Sequence, residues 1–137
     1  MMKTIILLTA LFIASIVHAQ EAEGTSITVN VKIQKNEGKV RLALYTEETF
    51  MKQPNFTESA EVVDGSATVV FKNVPDGTYS ILGFHDENNN EKMDFEPNGM
   101  PTESYGASNN VFNFGPPTWS DTKFEVGDKP LTMEIKF

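Results

Sequence analysis

Residues 27–34 read Ile-Thr-Val-Asn-Val-Lys-Ile-Gln and place an apolar side chain at every second position. Successive side chains of a β-strand point to opposite faces of the sheet, so this alternation predicts a strand with one buried and one solvated face. The alternation resumes at residues 40–44, after turn-forming residues at 36–38. Residues 26–45 are therefore predicted to form a β-hairpin.

The same pattern recurs towards the C-terminus. Asp64-Gly65 separates apolar runs at 61–63 and 67–71, which predicts a second hairpin. Residues 78–85 carry apolar side chains on both faces and are predicted to form a central, well-covered strand. A closing hairpin is predicted at 122–137, with its turn at Gly127-Asp128. Residues 46–57 lack a period and predict a loop, with one turn of helix that Thr46 caps.

These segments amount to about seven short strands without a substantial helix. The predicted fold is all-β: an antiparallel β-sandwich of the immunoglobulin-like or transthyretin-like type. Residues 20–137 are long enough for one core and too short for two, so we expect a single domain.

The N-terminus has the pattern of a secretory signal. Lys3 precedes an apolar run at 4–17, and Val17-His18-Ala19 supplies small or compact residues before a polar segment. We predict that residues 1–19 are a signal peptide removed after Ala19, which places the protein in the periplasm or outside the cell. The apolar run is shorter than the ~20 residues of a spanning helix, so the released chain is expected to be soluble and not membrane-spanning.

Composition excludes several classes of protein. The chain has 19 acidic and 11 basic residues, a formal net charge of −8, and Arg41 as its one arginine, so nucleic-acid binding is not expected. It has 0 cysteines, which excludes disulfides, thiolate zinc sites and a cysteine nucleophile.

The clearest motif follows the predicted central strand. Asp86, Asn88 and Asn90 place oxygen-bearing side chains at every second position, and Asp94 lies eight residues after the first. This spacing is that of positions 1, 3, 5 and 9 in a calcium loop. Lys92 would supply a backbone carbonyl, and Glu96 or Glu103 a further carboxylate.

The motif is not an EF-hand, because Glu91 and Pro97 stand where glycine and a bidentate glutamate are required. With two anionic ligands in the core pattern, we expect weak Ca²⁺ binding, with a dissociation constant on the order of 10⁻⁴–10⁻³ M. The alternative is that Asp and Asn serve here only as turn formers.

Catalysis has little support. His85 is the one histidine after the predicted leader and is expected to be structural, and no G-x-S-x-G motif is present. A small hydrolase built on glutamates at 58, 61, 96 and 103 is the least favoured alternative.

The long segment at 86–117 and the residues after it contain aromatic side chains that form a candidate ligand platform or, alternatively, seal one end of the sandwich. These residues are Tyr105, Phe112, Phe114 and Trp119.

The chain resembles an uncharacterised bacterial family known as domain of unknown function 2141. The matching features are Val74-Pro75-Asp76-Gly77-Thr78-Tyr79, residues 85–94 and residues 99–110. The resemblance implies an exported β-sandwich and brings no established activity. Family members typically carry glycine where this chain has Glu91. The loop is also similar to calcium loops of bacterial adhesin sandwich repeats.

From these observations we expect an exported, non-enzymatic module in which calcium orders the long segment, and whose partner is an unknown protein or glycan of the cell envelope. The alternative is a carbohydrate- or envelope-binding domain that uses the loop aromatics.

Overall fold

A computed structural model describes residues 24–111 and 115–137. The predicted signal peptide at 1–19 and two residues of the predicted platform, Phe112 and Phe114, lie outside the described residues.

The described residues form eight strands and two short helical segments. The strands are β1 Thr25–Lys32, β2 Lys39–Tyr45, β3 Phe56–Glu61, β4 Ser66–Val74, β5 Gly77–Asp86, β6 Tyr105–Ala107, β7 Phe124–Val126 and β8 Leu131–Lys136. A 3₁₀ turn spans Ser108–Asn110, and a one-turn helix, α1, spans Trp119–Thr122. The sequence does not predict two of these strands as the structure has them. β6 has three residues and lies inside the predicted long loop, and β3 shares only Glu61 with the predicted run at 61–63 and begins within the predicted loop at 46–57. Residues 47–51 form turns, not the helical turn expected after Thr46.

The strands form two sheets packed as a sandwich, which confirms the predicted fold class. One sheet has the order β4-β1-β8, and the other has the order β3-β2-β5-β6 with β7 paired to β5. Every named strand pair in the described residues is antiparallel except β1–β8, which is parallel. The second sheet is called the five-stranded sheet below.

The three predicted hairpins are wrong. β1 pairs with β4 and β8, β2 pairs with β3 and β5, and the closing strands β7 and β8 lie in different sheets. The turn at Asp64-Gly65 does form, with both residues at positive φ (52° and 77°), but its bridge joins only Val63 and Ser66 before the strands separate. Alternation fixes the face that a residue presents to the core and leaves its partner strand open, so each turn here carries the chain across the core.

The alternating residues build the core as predicted. Ile27, Val29 and Val31 are fully buried on β1, and they face Val40 and Leu44 of the opposite sheet within one cluster. Each such side chain contributes about 1.5–3 kcal/mol on burial. The Tyr79 hydroxyl donates to the Pro75 carbonyl oxygen (2.8 Å) and fixes the crossing from β4 to β5, as in the tyrosine corner of immunoglobulin-like folds.

The C-terminal residue closes the sandwich beside a pair of glycines. Gly83 on β5 is directly opposite Gly106 on β6. A Cβ on Gly106 would lie 2.5 Å from the Lys136 carbonyl oxygen and 2.6 Å from the Phe137 ring. The absence of side chains at this point is what allows β8 and Phe137 to approach the five-stranded sheet.

Candidate functional site

The β5–β6 loop, residues 87–104, contains the predicted calcium motif and is held by two buried carboxylates. Asp86 Oδ1 accepts from the Asn90 N–H (3.2 Å), and Asp86 Oδ2 accepts from the Glu91 N–H (3.0 Å). At the other end, Glu103 accepts from the Glu87 N–H (2.8 Å) and the Asp94 N–H (3.0 Å). These bonds satisfy backbone donors that an irregular loop would otherwise leave without partners.

The charge of Asp86 is balanced by Arg41 from the neighbouring strand β2. The Arg41 Nε donates to Asp86 Oδ2 at 2.6 Å, and the carboxylate is 0 % exposed. Burial alone would raise the pKa of Asp86. The hydrogen bond and the charge of Arg41, together with the N–H groups of Glu91 and Asn90, outweigh burial and hold that pKa below its ordinary value. Asp86 is therefore ionised at neutral pH.

The remaining motif side chains converge on Asp94. The Asn88 side-chain amide donates to Asp94 Oδ2 (2.8 Å), and that of Asn90 donates to Asp94 Oδ1 (2.7 Å). Asn90 Oδ1 in turn accepts from the Lys92 N–H (3.0 Å). Glu96 is exposed near the tip of the loop, where its N–H donates to the Met100 carbonyl oxygen (2.7 Å).

This arrangement reduces the number of oxygen ligands that the motif could offer to a cation. Both oxygens of Asp86 are engaged by N–H groups, and the Arg41 guanidinium holds the position next to it that a cation would take. In residues 24–111 and 115–137, no three acidic or histidine side chains are grouped so as to hold a metal ion. The side-chain oxygens of Asn88, Asn90 and Asp94 also accept N–H groups, and these three residues carry one negative charge among them. Calcium binding stays a prediction.

His85, at the end of β5, has a structural contact. Its ring is buried, and Nε2 lies 2.5 Å from the carbonyl oxygen of Glu37 in the turn between β1 and β2. The glutamates considered for hydrolysis lie on β3 and on the β5–β6 loop. Within the described residues they form no cluster of three, and Glu103 is committed to the two loop N–H groups.

An apolar groove of about 1240 Å³ lies on the outer face of the five-stranded sheet. Its floor is made by Ala43 on β2, Leu82 and Phe84 on β5 and Tyr105 on β6. Ala43 is opposite Leu82 and Phe84 is opposite Tyr105, so these side chains share one face. The central position of β5 is confirmed, and the apolar residues of its outer face form the groove floor.

Loops from three parts of the chain form the groove walls. The β2–β3 loop contributes Met51, the β5–β6 loop contributes Met93, Phe95 and Met100, and the segment before α1 contributes Pro116 and Pro117. Seven large hydrophobic side chains are exposed in the described residues, and five of them line this groove. The five are Met51, Phe95, Met100, Tyr105 and Val111.

The two described residues of the predicted aromatic platform lie in different places. Tyr105 is part of the groove floor. Trp119 packs edge-on against Phe50, with ring centroids 5.7 Å apart, and lines a separate pocket of about 470 Å³. That pocket is otherwise polar, with Thr46, Glu47, Glu48, Thr78 and Lys123 as its lining.

Sequence reasoning missed Arg41 and the groove. The groove floor could have been found from residues 78–85, which carry apolar side chains on both faces of their strand. The groove walls could not, because they form only where segments distant in sequence meet on one face of the sheet.

No helix within the described residues is long and apolar enough to cross a membrane. Comparisons with curated proteins and with solved structures each found no match. The model of a family described as an uncharacterized protein conserved in bacteria, DUF2141, matches residues 27–134, which confirms the resemblance noted in the sequence, and the chain therefore belongs to that family.

Proposed function

We propose that the protein is an exported, non-enzymatic binding module whose groove binds an extended segment of a cell-envelope protein through apolar side chains. The observation that carries this proposal is the concentration of five of the seven exposed large hydrophobic side chains around one groove. Exposed apolar patches of this kind mark interaction sites in soluble proteins. The leader pattern at residues 1–19 supports export.

The shape and lining of the groove favour a peptide over a small molecule. A volume of about 1240 Å³ exceeds the 300–1,000 Å³ typical of small-molecule pockets, and the groove spans residues of strands β2, β5 and β6. Met51, Met93 and Met100 are unbranched and adjust to irregular apolar shapes, as methionines do on surfaces that bind varied peptides.

A pair of matched variants tests this proposal. Phe95→Ser/Met100→Ser removes two exposed apolar side chains from the groove wall, and Val63→Ser/Val70→Ser removes two exposed apolar side chains elsewhere. The probe is a fluorescein-labelled peptide of alternating leucine and serine, with polarisation as the readout. We expect the groove variant to bind at least about tenfold more weakly, a loss of about 1.4 kcal/mol, and the control variant to bind normally. Equal binding by both variants would contradict the proposal.

The Trp119 pocket supports a second candidate function, glycan binding. An aromatic ring beside Glu47, Glu48 and Lys123 offers a stacking surface together with polar groups, the combination that sugars require. We expect Trp119→Phe to weaken retention on immobilised peptidoglycan and chitin and to leave peptide binding in the groove unchanged. Unaltered retention of the variant on both glycans would count against this candidate.

Calcium has a secondary place in the proposal. With Asp86 engaged by Arg41, the cation would meet Asn88, Asn90 and Asp94, whose one carboxylate supports binding no tighter than about the 10⁻⁴–10⁻³ M range. Ca²⁺ bound there would stabilise the β5–β6 loop and hence one wall of the groove.

A further inference from the structure

We propose that Met51, Met93 and Met100 form an oxidant-reactive site, and that their conversion to methionine sulfoxide by a peroxide switches off binding in the groove. The second half of this proposal rests on the proposed function of the groove. The first half, selective oxidation at these residues, stands independently of it.

The placement of the methionines is uneven. The chain has six methionines, of which Met1 and Met2 lie in the predicted leader, and three of the remaining four line the groove. Met51 is 54 % exposed and Met100 is 60 % exposed. The fourth, Met133 on β8, is partly buried and packs against the core. An oxidant arriving from solvent therefore meets Met51 and Met100 before Met133.

The backbone at Met51 is a second observation. Met51 has φ of 57°, a left-handed conformation that favours glycine and asparagine and is unusual for a longer side chain. The turn at residues 47–51 nevertheless holds a methionine in this conformation and exposes it at the groove. Residues in sparsely populated backbone conformations cluster at ligand-binding and switch regions, which motivates assigning a role to the Met51 side chain.

Because the chain has no cysteine, its methionine thioethers are the sulfur atoms that a peroxide can oxidise. Thiolates are usually the first protein groups that peroxides oxidise, and this chain has 0 cysteines. A lone pair of the methionine sulfur attacks one oxygen of hydrogen peroxide, the O–O bond breaks, and the second oxygen leaves as water after proton transfer. Sulfur is oxidised by two electrons and peroxide is reduced by two electrons. Methionine sulfoxide reductases reverse the product.

Oxidation would change the character of the groove. Each sulfoxide replaces a flexible apolar group with a strongly polar one, and a ligand that covers it without a hydrogen bond loses favourable free energy. Met51 and Met100 come from different loops, so their oxidation would make polar two walls of a groove floored by Leu82 and Phe84. We expect the leucine-serine peptide to bind about tenfold more weakly, a change of about 1.4 kcal/mol.

The test treats the purified protein with graded hydrogen peroxide and measures oxidation of each methionine by peptide mapping with mass spectrometry. Binding of the labelled peptide is measured on the same samples, before and after treatment with methionine sulfoxide reductases. The triple variant Met51→Leu/Met93→Leu/Met100→Leu removes the oxidisable sulfurs of the groove, and Met133→Leu is the matched control. The peptide affinity of each protein after peroxide is expressed relative to its own affinity before peroxide. We expect Met51 and Met100 to oxidise before Met133, with loss of binding in wild type and Met133→Leu, recovery after reduction, and resistance in the triple variant.

The outcomes separate the two halves of the proposal. Oxidation of Met133 at the same peroxide dose as Met51 and Met100 would overturn the selective site. Selective oxidation with unchanged peptide binding would overturn the switch and leave the groove intact as a binding site. Absence of peptide binding before any oxidation would overturn the proposed function and the switch together, while selective oxidation would still support the reactive site.

Discussion

Separating Arg41 from Asp86 should strongly destabilise the β5–β6 loop. Asp86 is 0 % exposed, its Oδ2 is 2.6 Å from the Arg41 Nε, and the Arg41 side chain is 23 % exposed. Removing one partner of a buried ion pair typically costs about 3–5 kcal/mol, because the other charge stays buried without compensation. Since the arginine is partly solvated, we expect the lower end, about 3 kcal/mol, for Arg41→Met.

Asp86→Asn should be at least as costly. The amide keeps one acceptor oxygen and turns an N–H group towards donors that Oδ2 now satisfies, those of Arg41 and Glu91. Hydrogen bonds to a charged group contribute about 1.5–3 kcal/mol each, so the loss of two predicts about 4 kcal/mol. The double variant should be about as stable as Asp86→Asn alone, so the coupling energy should equal the effect of Arg41→Met, about 3 kcal/mol.

The measurement is a double-mutant cycle from urea unfolding at pH 7 and low ionic strength. The slope of the free energy of unfolding against urea must stay constant across the four proteins for the comparison to be valid. If the two single effects add within about 0.5 kcal/mol in the double variant, the residues are not coupled and the account of this loop is wrong.

Three further predictions concern acid, the glycine pair and calcium. The folded-state pKa of Asp86 lies below its unfolded value, so its stabilising contribution is present above about pH 4 and is lost as the pH falls further. Asp86→Asn should therefore make the thermal midpoint fall less steeply with pH below about pH 4 than it does in wild type. An equally steep fall in the variant would refute this. Gly106→Ala should lower the free energy of unfolding by about 1–3 kcal/mol, because the new Cβ would meet the Lys136 carbonyl oxygen at 2.5 Å. Gly127 has open space around it, so Gly127→Ala should change the free energy of unfolding by less than about 0.5 kcal/mol in the same urea assay. Millimolar Ca²⁺ should raise the thermal midpoint of wild type and leave Asp94→Ala unchanged, with Mg²⁺ as control; a rise of equal size in both proteins would show that the loop is not the site.

The alternation at residues 27–34 was enough to predict which side chains enter the core. It was not enough to predict partners, because Ile27 buries the same face whether β1 pairs with β2 or with β4. Pairing across the sandwich depends on how each turn directs the chain. The turn at Asp64-Gly65 adopts the expected backbone and still sends its two strands into different sheets.

The candidate site divides in the same way. The Asp and Asn residues at 86–94 could be found from local spacing, because the turns they make involve neighbours in sequence. The partner of Asp86 could not, since Arg41 is separated from it by 45 residues and is brought close only by the register of β2 against β5. Predicting the groove would require even more knowledge of the tertiary structure, because three loops distant in sequence must converge over one sheet face.

The position of Arg41 links loop order to binding. Arg41 lines the groove and also holds Asp86, whose hydrogen bonds order the loop that contributes Phe95 and Met100 to the groove wall. If the peptide binds only when the loop is ordered, its apparent affinity is proportional to the fraction of molecules with an ordered loop, so a change that lowers this fraction weakens peptide binding by the same factor. Asp86→Asn should therefore reduce binding of the leucine-serine peptide even under conditions in which the protein stays folded.

Val29→Ala is the matched comparison, because Val29 is fully buried on β1 in the opposite sheet and does not line the groove, so its expected effect is on the packing of the sandwich. This variant should lower the free energy of unfolding without weakening peptide binding at temperatures where the variant remains folded. Peptide affinity that follows global stability in both variants would show that the groove depends on the whole fold. Loss of affinity confined to Asp86→Asn would instead identify the ion pair as the contact that maintains the binding wall.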